Sequence, residues 1–198
     1  TGFAAVERAD IALGDTVLVQ GSGPVGLAAA AFAALRGAAA VLVIGAPRAR
    51  LDLALRLGAD DAIDVSTTSG DERQAWIAER TGGRGADVVI EATGSPAAVP
   101  EGLRLVRDGG TYVVAGHYTD AGEVGVNPHS MVNRKHVVVR GQWGTDFRHV
   151  ARALRLLAKH AQRLPFRDII GMRYPLDAAQ EALEDVAALR VTKALIVP

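Results

Sequence analysis

Gly21-Ser22-Gly23-Pro24-Val25-Gly26 is the stretch whose residue types and spacing point most directly to chemistry. It is a G-x-G-x-x-G run, and each glycine has a physical reason. Gly21 permits a tight turn, Gly23 lets a pyrophosphate approach a bare backbone, and Gly26 lets a helix pack closely on a sheet. Pro24 suits the first helical turn, where a missing N–H costs nothing. Free N–H groups and the positive end of the helix dipole then face the phosphates. The motif acquires weight from its context. Thr16-Val17-Leu18-Val19-Gln20 before it reads as a buried strand, and Leu27 to Leu35 after it reads as a helix. The plainer reading is a glycine-rich turn with no ligand; a strand on one side and a helix on the other favour a nucleotide.

Other elements must position this turn. Apolar spacing predicts helices over 1–9, 47–57, 72–80, 97–106, 150–160 and 178–189. Short apolar runs predict strands at 41–44, 62–65, 87–91, 111–116, 137–141 and 193–197. Asp108-Gly109-Gly110 reads as a turn, Ser130 to Lys135 as about one helical turn, and Asp177 as an N-cap. Strands alternate with helices and lack strict polar alternation, which predicts a parallel sheet buried on both faces. Six such strands predict an α/β, doubly wound, dinucleotide-binding (Rossmann) fold over 1–144. A C-terminal α/β appendage is expected over 145–198. The site belongs at the carboxyl ends of the strands. Small residues gather there: Gly21, Gly45, Thr93-Gly94, Gly116 and Gly144. Turns need glycine in any case, but a row of them on one sheet edge suits a flat ligand.

The composition narrows the partners. The chain has 198 residues, 49% of them hydrophobic and 22% charged, as expected of a globular domain. Formal net charge is zero, and nothing in it suggests a nucleic-acid or acidic-membrane partner. No apolar run approaches the roughly 18 residues of a membrane span. Cysteine is absent, so disulfide and thiolate chemistry are excluded, in keeping with a cytoplasmic protein. His117, His129, His136, His149 and His160 show no short metal-ligand spacing, so no metal residue is assigned. The chain opens on Thr1 in what reads as a helix, and is expected to be a portion of a longer protein.

The order of these segments resembles the medium-chain alcohol dehydrogenase superfamily. The resemblance rests on Thr1-Gly2-Phe3, Gly14-Asp15-Thr16-Val17-Leu18-Val19 and Gly21-Ser22-Gly23-Pro24-Val25-Gly26-Leu27. It continues through Arg50-Leu51, Leu57-Gly58-Ala59-Asp60, Asp87 to Gly94, and Lys193-Ala194-Leu195-Ile196-Val197. The Gly-Ser-Gly-Pro-Val-Gly form is similar to the zinc-containing branch. Zinc-independent quinone and enoyl reductases usually carry Ala-x-Gly-Gly-Val-Gly. The resemblance implies a GroES-like catalytic domain preceding this region and holding the catalytic zinc, with an alcohol or carbonyl compound as substrate. No catalytic residue is expected within these 198.

Residue by residue, the resemblance implies that Gly21, Gly23, Pro24, Val25 and Gly26 form the pyrophosphate turn, with Val25 behind the nicotinamide. Thr1 would lie beside the nicotinamide, and Thr93 and Gly94 near its ribose. Ala115, Gly116 and His117 would hold the carboxamide through backbone, joined by Trp143 and Gly144. Lys193 would reach the pyrophosphate, or it is simply a solvated lysine. NAD-specific relatives place Asp or Glu where this sequence has Gly45. Glycine makes room for a 2′-phosphate and Arg48 could pair with it, so NADP is expected, with NAD possible. Alternatively Arg48 and Arg50 are exposed helix residues. Two other functions stay open here: a zinc-independent reductase, and a non-catalytic nucleotide-sensing module. Val137-Val138-Val139 is expected to be an edge strand that pairs two copies into a homodimer.

Overall fold

A computed structural model describes residues 1–198. The elements run α1 (Gly2–Ala9), β1 (Thr16–Gln20), α2 (Pro24–Arg36), β2 (Ala40–Gly45), α3 (Arg48–Arg56), β3 (Asp61–Asp64), α4 (Gly70–Thr81), β4 (Ala86–Glu91), α5 (Ala98–Leu105), β5 (Val106–Val114) and β6 (Val138–Gly141). Then come α6 (Phe147–His160), β7 (Met172–Pro175), α7 (Ala179–Ala187) and β8 (Ala194–Val197). The first six strands form one sheet in the order β3-β2-β1-β4-β5-β6, every pair parallel. That is the doubly wound Rossmann arrangement, with its switch point between β1 and β4. β7 and β8 pair in parallel as a separate two-stranded sheet.

Alternate residues of β1 feed two cores. Val17 and Val19 point into a cluster with α1, α2 and α3, while Leu18 joins Ile77, Leu103 and Tyr112 on the opposite face. This is why the strand sequences read as unbroken apolar runs. α2 is built from alanines because it is pressed on both sides: Ala29, Ala30, Ala31 and Ala33 are fully buried. α1 crosses it at Gly2, where a Cβ would stand 2.7 Å from the Val25 carbonyl and 2.8 Å from the Ala28 Cβ. α1 is also tied to the sheet edge. The Arg8 Nε donates to the Gly141 carbonyl (3.2 Å), and the Arg140 guanidinium donates to the Arg8 carbonyl (2.8 Å).

Three local expectations are corrected. Asp108-Gly109-Gly110 is not a separate turn but lies inside β5. The register steps from Ala86↔Val106 to Val88↔Thr111, so the extra residues bulge out of the ladder around Gly109, whose φ is +69°. β7 was not expected: its four residues include Pro175 and only Tyr174 is buried, which leaves no alternating pattern to read. Asp177 sits within a 3₁₀ turn, and the N-cap of α7 is Ala178, which makes no side-chain hydrogen bond.

α4 begins two residues before its predicted start because a capping box closes it. The Glu72 amide donates to Ser69 Oγ (3.2 Å), and the Ser69 amide donates to Glu72 Oε2 (2.7 Å). The Ser69 amide and the Ser69 hydroxyl, which also donates to Glu72 Oε2 (2.8 Å), together hold the Glu72 carboxyl below its ordinary range. Replacing Ser69 by Ala is expected to cost about 1 kcal/mol. Thermal melting should show a Tm lower by about 2–4 °C, and an unchanged Tm would contradict the cap.

Candidate functional site

A cleft of about 710 Å³ opens at the carboxyl ends of β1, β2 and β4. Its floor is the turn from β1 into α2. Gly21 adopts φ +110°, which favours glycine, and its amide donates to the Ile44 carbonyl (2.7 Å). Gly26 packs so tightly on the turn that a Cβ there would collide with the Gly21 carbonyl. Gly23 is the opposite case. It is the N-cap of α2, and beyond its own chain neighbours no atom lies within 4 Å of the place its Cβ would occupy. Pro24 occupies the first helical position, where no N–H is needed. The first amides of α2 therefore face open space with the positive end of the helix dipole behind them.

The wall on the β2 side is made by Gly45, Ala46 and Arg50. Ser22 Oγ donates to the Ala46 carbonyl (2.8 Å), stapling the two turns together. Arg48, expected to face this wall, instead pairs with Asp52 on α3 (2.8 Å) and its side chain is 69% exposed. It is absent from the cleft lining. Arg50 takes that position. It is 8% exposed, its Nη2 donates to the Val191 carbonyl (2.7 Å), and its Nε is buried with no hydrogen-bond partner. Burial pulls its pKa below the ordinary guanidinium value. A spacing signal for it existed: Arg50, Ala54 and Leu57 share the helical stripe that α3 buries.

The third wall carries residues that the sequence did not single out. Arg73 Nε donates to Glu101 Oε1 (2.6 Å), and both side chains are largely buried. Glu101 Oε2 accepts from Gln20 Nε2 (3.3 Å), and Gln20 Nε2 also donates to the Ala98 carbonyl (3.0 Å). This chain of contacts ties α4 and α5 to the end of β1. No sequence spacing announces it, because its members come from three distant elements.

Of the expected site residues, Gly21, Gly23, Gly45 and Thr93 line the cleft. Thr93, Gly94 and Gly116 meet one another just beyond it, around the side chain of Glu91. Ala115 is buried and donates its amide to the Glu91 carbonyl (2.9 Å). His117 Nε2 is buried without a hydrogen-bond partner, 3.8 Å from Glu91 Oε2. Thr1 is exposed at the head of α1, and Trp143 is 76% exposed. Gly144 has φ +62° with no neighbour within 4 Å of a Cβ. Lys193 is exposed, and its carbonyl accepts from the Gly171 amide (2.9 Å). Thr1, Pro24, Val25, Gly26, Trp143, Gly144 and Lys193 are outside the cleft lining. No group of three or more His, Cys, Asp or Glu is placed to hold a metal ion. No helix is long and apolar enough to cross a membrane.

Comparison with known proteins agrees with this geometry. A family model described as zinc-binding dehydrogenase matches residues 24–159. The chain is 39% identical over 186 residues to a 5-exo-hydroxycamphor dehydrogenase of Pseudomonas putida, covering 94% of this chain and 51% of that protein. It is 35% identical over 184 residues to an erythritol/L-threitol dehydrogenase of Mycolicibacterium smegmatis, covering 93% and 49%. Among solved structures, an alcohol dehydrogenase from Thermotoga maritima superposes with TM-score 0.93 at 33% identity, over 100% of this chain and 54% of that one. A zinc-binding dehydrogenase from Sinorhizobium meliloti, solved bound to NADP, gives TM-score 0.84 at 27% identity, over 100% and 57%. The chain thus spans about half the length of the curated relatives it matches. These matches do not favour a quinone or enoyl reductase or a sensing module.

The close approach of Ser22 to Gly45 limits what position 45 accepts. A Cβ there would stand 2.5 Å from Ser22 Oγ, 2.6 Å from Ser22 Cβ and 2.9 Å from the Ser22 amide. Gly45→Asp is therefore expected to cost about 1–3 kcal/mol in urea unfolding. Adding Ser22→Gly should recover part of that loss; equal stability of Gly45→Asp and wild type would refute the clash.

Proposed function

The chain belongs to the zinc-binding dehydrogenase family, and on that premise we propose that it is the cofactor-binding portion of an oxidoreductase. The reaction is hydride transfer between a nicotinamide dinucleotide and an alcohol or carbonyl substrate. The observation that carries this reading is the open backbone at Gly23, set at the head of α2 in a cleft walled by Gly45 and Arg50. Backbone amides and a helix dipole suit a diphosphate bridge. The dinucleotide supplies the hydride chemistry when bound. Thr1, Gly21, Gly23, Pro24, Val25, Gly26, Thr93, Gly94, Ala115, Gly116, His117, Trp143, Gly144 and Lys193 are proposed to bind or border it. No acid or base of this chain is assigned to the reaction. The zinc named by the family finds no ligand set in this chain, and its ligands are proposed for a GroES-like domain outside these 198 residues. No step is routed through it.

The finer reading is NADP. Gly45 presents no carboxylate to repel a 2′-phosphate, and Arg50 holds a buried guanidinium whose Nε lacks a partner. A buried cation short of hydrogen bonds is stabilised by an anion. Arg50 thus replaces Arg48 as the residue proposed for that phosphate. The NADP-bound relative supports the same reading. We expect NADPH to bind more tightly than NADH by about tenfold, as a charge-assisted pair allows. Fluorescence titration checks this, and Arg50→Gln should remove the preference while leaving NADH binding in place. Equal affinities in wild type would overturn the NADP assignment.

A homodimer through β6 is the proposed assembly. β6 ends the sheet, and Val138 and Val139 are 44% and 50% exposed along that edge. An apolar edge with free backbone groups favours pairing with a second copy. Sedimentation at micromolar concentration should give a dimer, and Val139→Lys should give a monomer. A monomeric wild type would count against the assembly. Cytoplasmic placement is proposed on the absence of cysteine alone.

A further inference from the structure

Glu91 ends β4 with 0% exposure, yet no arginine or lysine pairs with it. Its carboxylate is held by donors from two loops. Oε1 accepts from the Thr93 amide (2.6 Å), the Thr93 hydroxyl (2.6 Å) and the Gly94 amide (2.8 Å). Oε2 accepts from the Gly116 amide (3.1 Å) and faces His117 Nε2 at 3.8 Å. The Glu91 carbonyl accepts from the Ala115 and Gly116 amides at 2.9 and 3.0 Å. The loops after β4 and β5 thus converge on one residue. They also touch: a Cβ on Gly116 would stand 2.7 Å from the Thr93 amide and 2.8 Å from Glu91 Oε1. A buried charge is stable only where hydrogen bonds replace its water, and this one spends its acceptors on fixing two loops.

The sheet order says what those loops serve. In a doubly wound sheet the two halves of a dinucleotide lie on either side of the switch point. Gly45 and Arg50 lie on the β2 side, so the other half lies over the ends of β4 and β5. From this we infer that Glu91 is a positioning residue for the nicotinamide half of the cofactor, setting the Thr93-Gly94 and Gly116-His117 loops at a fixed separation. The inference rests on the dinucleotide reading above. It goes beyond it in assigning the task to a carboxylate that itself touches no ligand.

The test uses the full-length protein with two probes, NADPH and 2′,5′-ADP, which lacks the nicotinamide half. In Glu91→Gln an amide N–H₂ must face at least one of the four donors, which breaks the bridge without changing its size. NADPH affinity is expected to fall by about tenfold, as for loss of a hydrogen bond to a charged group. Affinity for 2′,5′-ADP is expected to stay as in wild type. Glu91→Asp keeps the charge but is one methylene too short to span both loops, and should give the same split if the glutamine variant does not fold. An equal loss for both probes assigns Glu91 to general stability and overturns the inference, as does no loss for either. A wild-type protein that binds neither probe overturns the dinucleotide reading itself, and this assignment with it.

Discussion

The structure hangs on how closely β1 and α2 approach one another. Between Gly21 and Gly26 the chain turns so tightly that a Cβ at Gly26 would lie directly against the Gly21 carbonyl. The alanines of α2 follow from the same constraint. A helix brought that near the sheet, with α1 pressed on its other side at Gly2, leaves room for little more than methyl groups at Ala29, Ala30, Ala31 and Ala33, while Leu27 and Phe32 fill the core where the packing is wider. Gly23 escapes the crowding because it lies at the helix mouth, and the amides beside it are left free. Tight packing on one side of the turn and open space on the other arise from one backbone path.

The two ends of the site handle buried charge in opposite ways. On the β2 side Arg50 is a cation with fewer partners than it can use: one carbonyl accepts from it and its Nε has none. On the β4 side Glu91 is an anion supplied with four donors. A guanidinium short of acceptors attracts a ligand anion, whereas a saturated carboxylate has nothing left to offer a ligand and acts on the backbone around it. Arg73, Glu101 and Gln20 form a third group between them, in which cation and anion satisfy each other.

The sequence announced what is local or periodic. The strand-turn-helix around Gly21 to Gly26, the six-stranded parallel sheet and the terminal β8 follow from apolar runs, helical spacing and glycine. Elements whose residues carry no period were missed. β7 buries one side chain of four and ends on a proline, and the bulge in β5 hides behind a glycine pair that reads as a turn. Site residues divide in the same way. Gly21, Gly23 and Gly45 stand at strand ends and could be found by counting, but Arg48 and Arg50 differ by two positions on a helix. That shift of about 200° separates an exposed side chain from a buried one. Glu91 was visible as the last residue of a strand. Its role depends on two loops more than twenty residues apart, which no local pattern reports.

Parallel pairing has a kinetic side. β1 is sandwiched between β2 and β4, and Val17 must find both Val41 and Val88 before the centre of the sheet exists. No two neighbouring strands are joined by a hairpin, so no zipper can start from a short turn and run outward. The chain entropy of closing long loops must be met before most ladder bonds form, which places this topology among the slower folders. While it searches, the half-assembled sheet offers bare valine-rich strands to other chains. Aggregation during synthesis is the hazard built into this architecture.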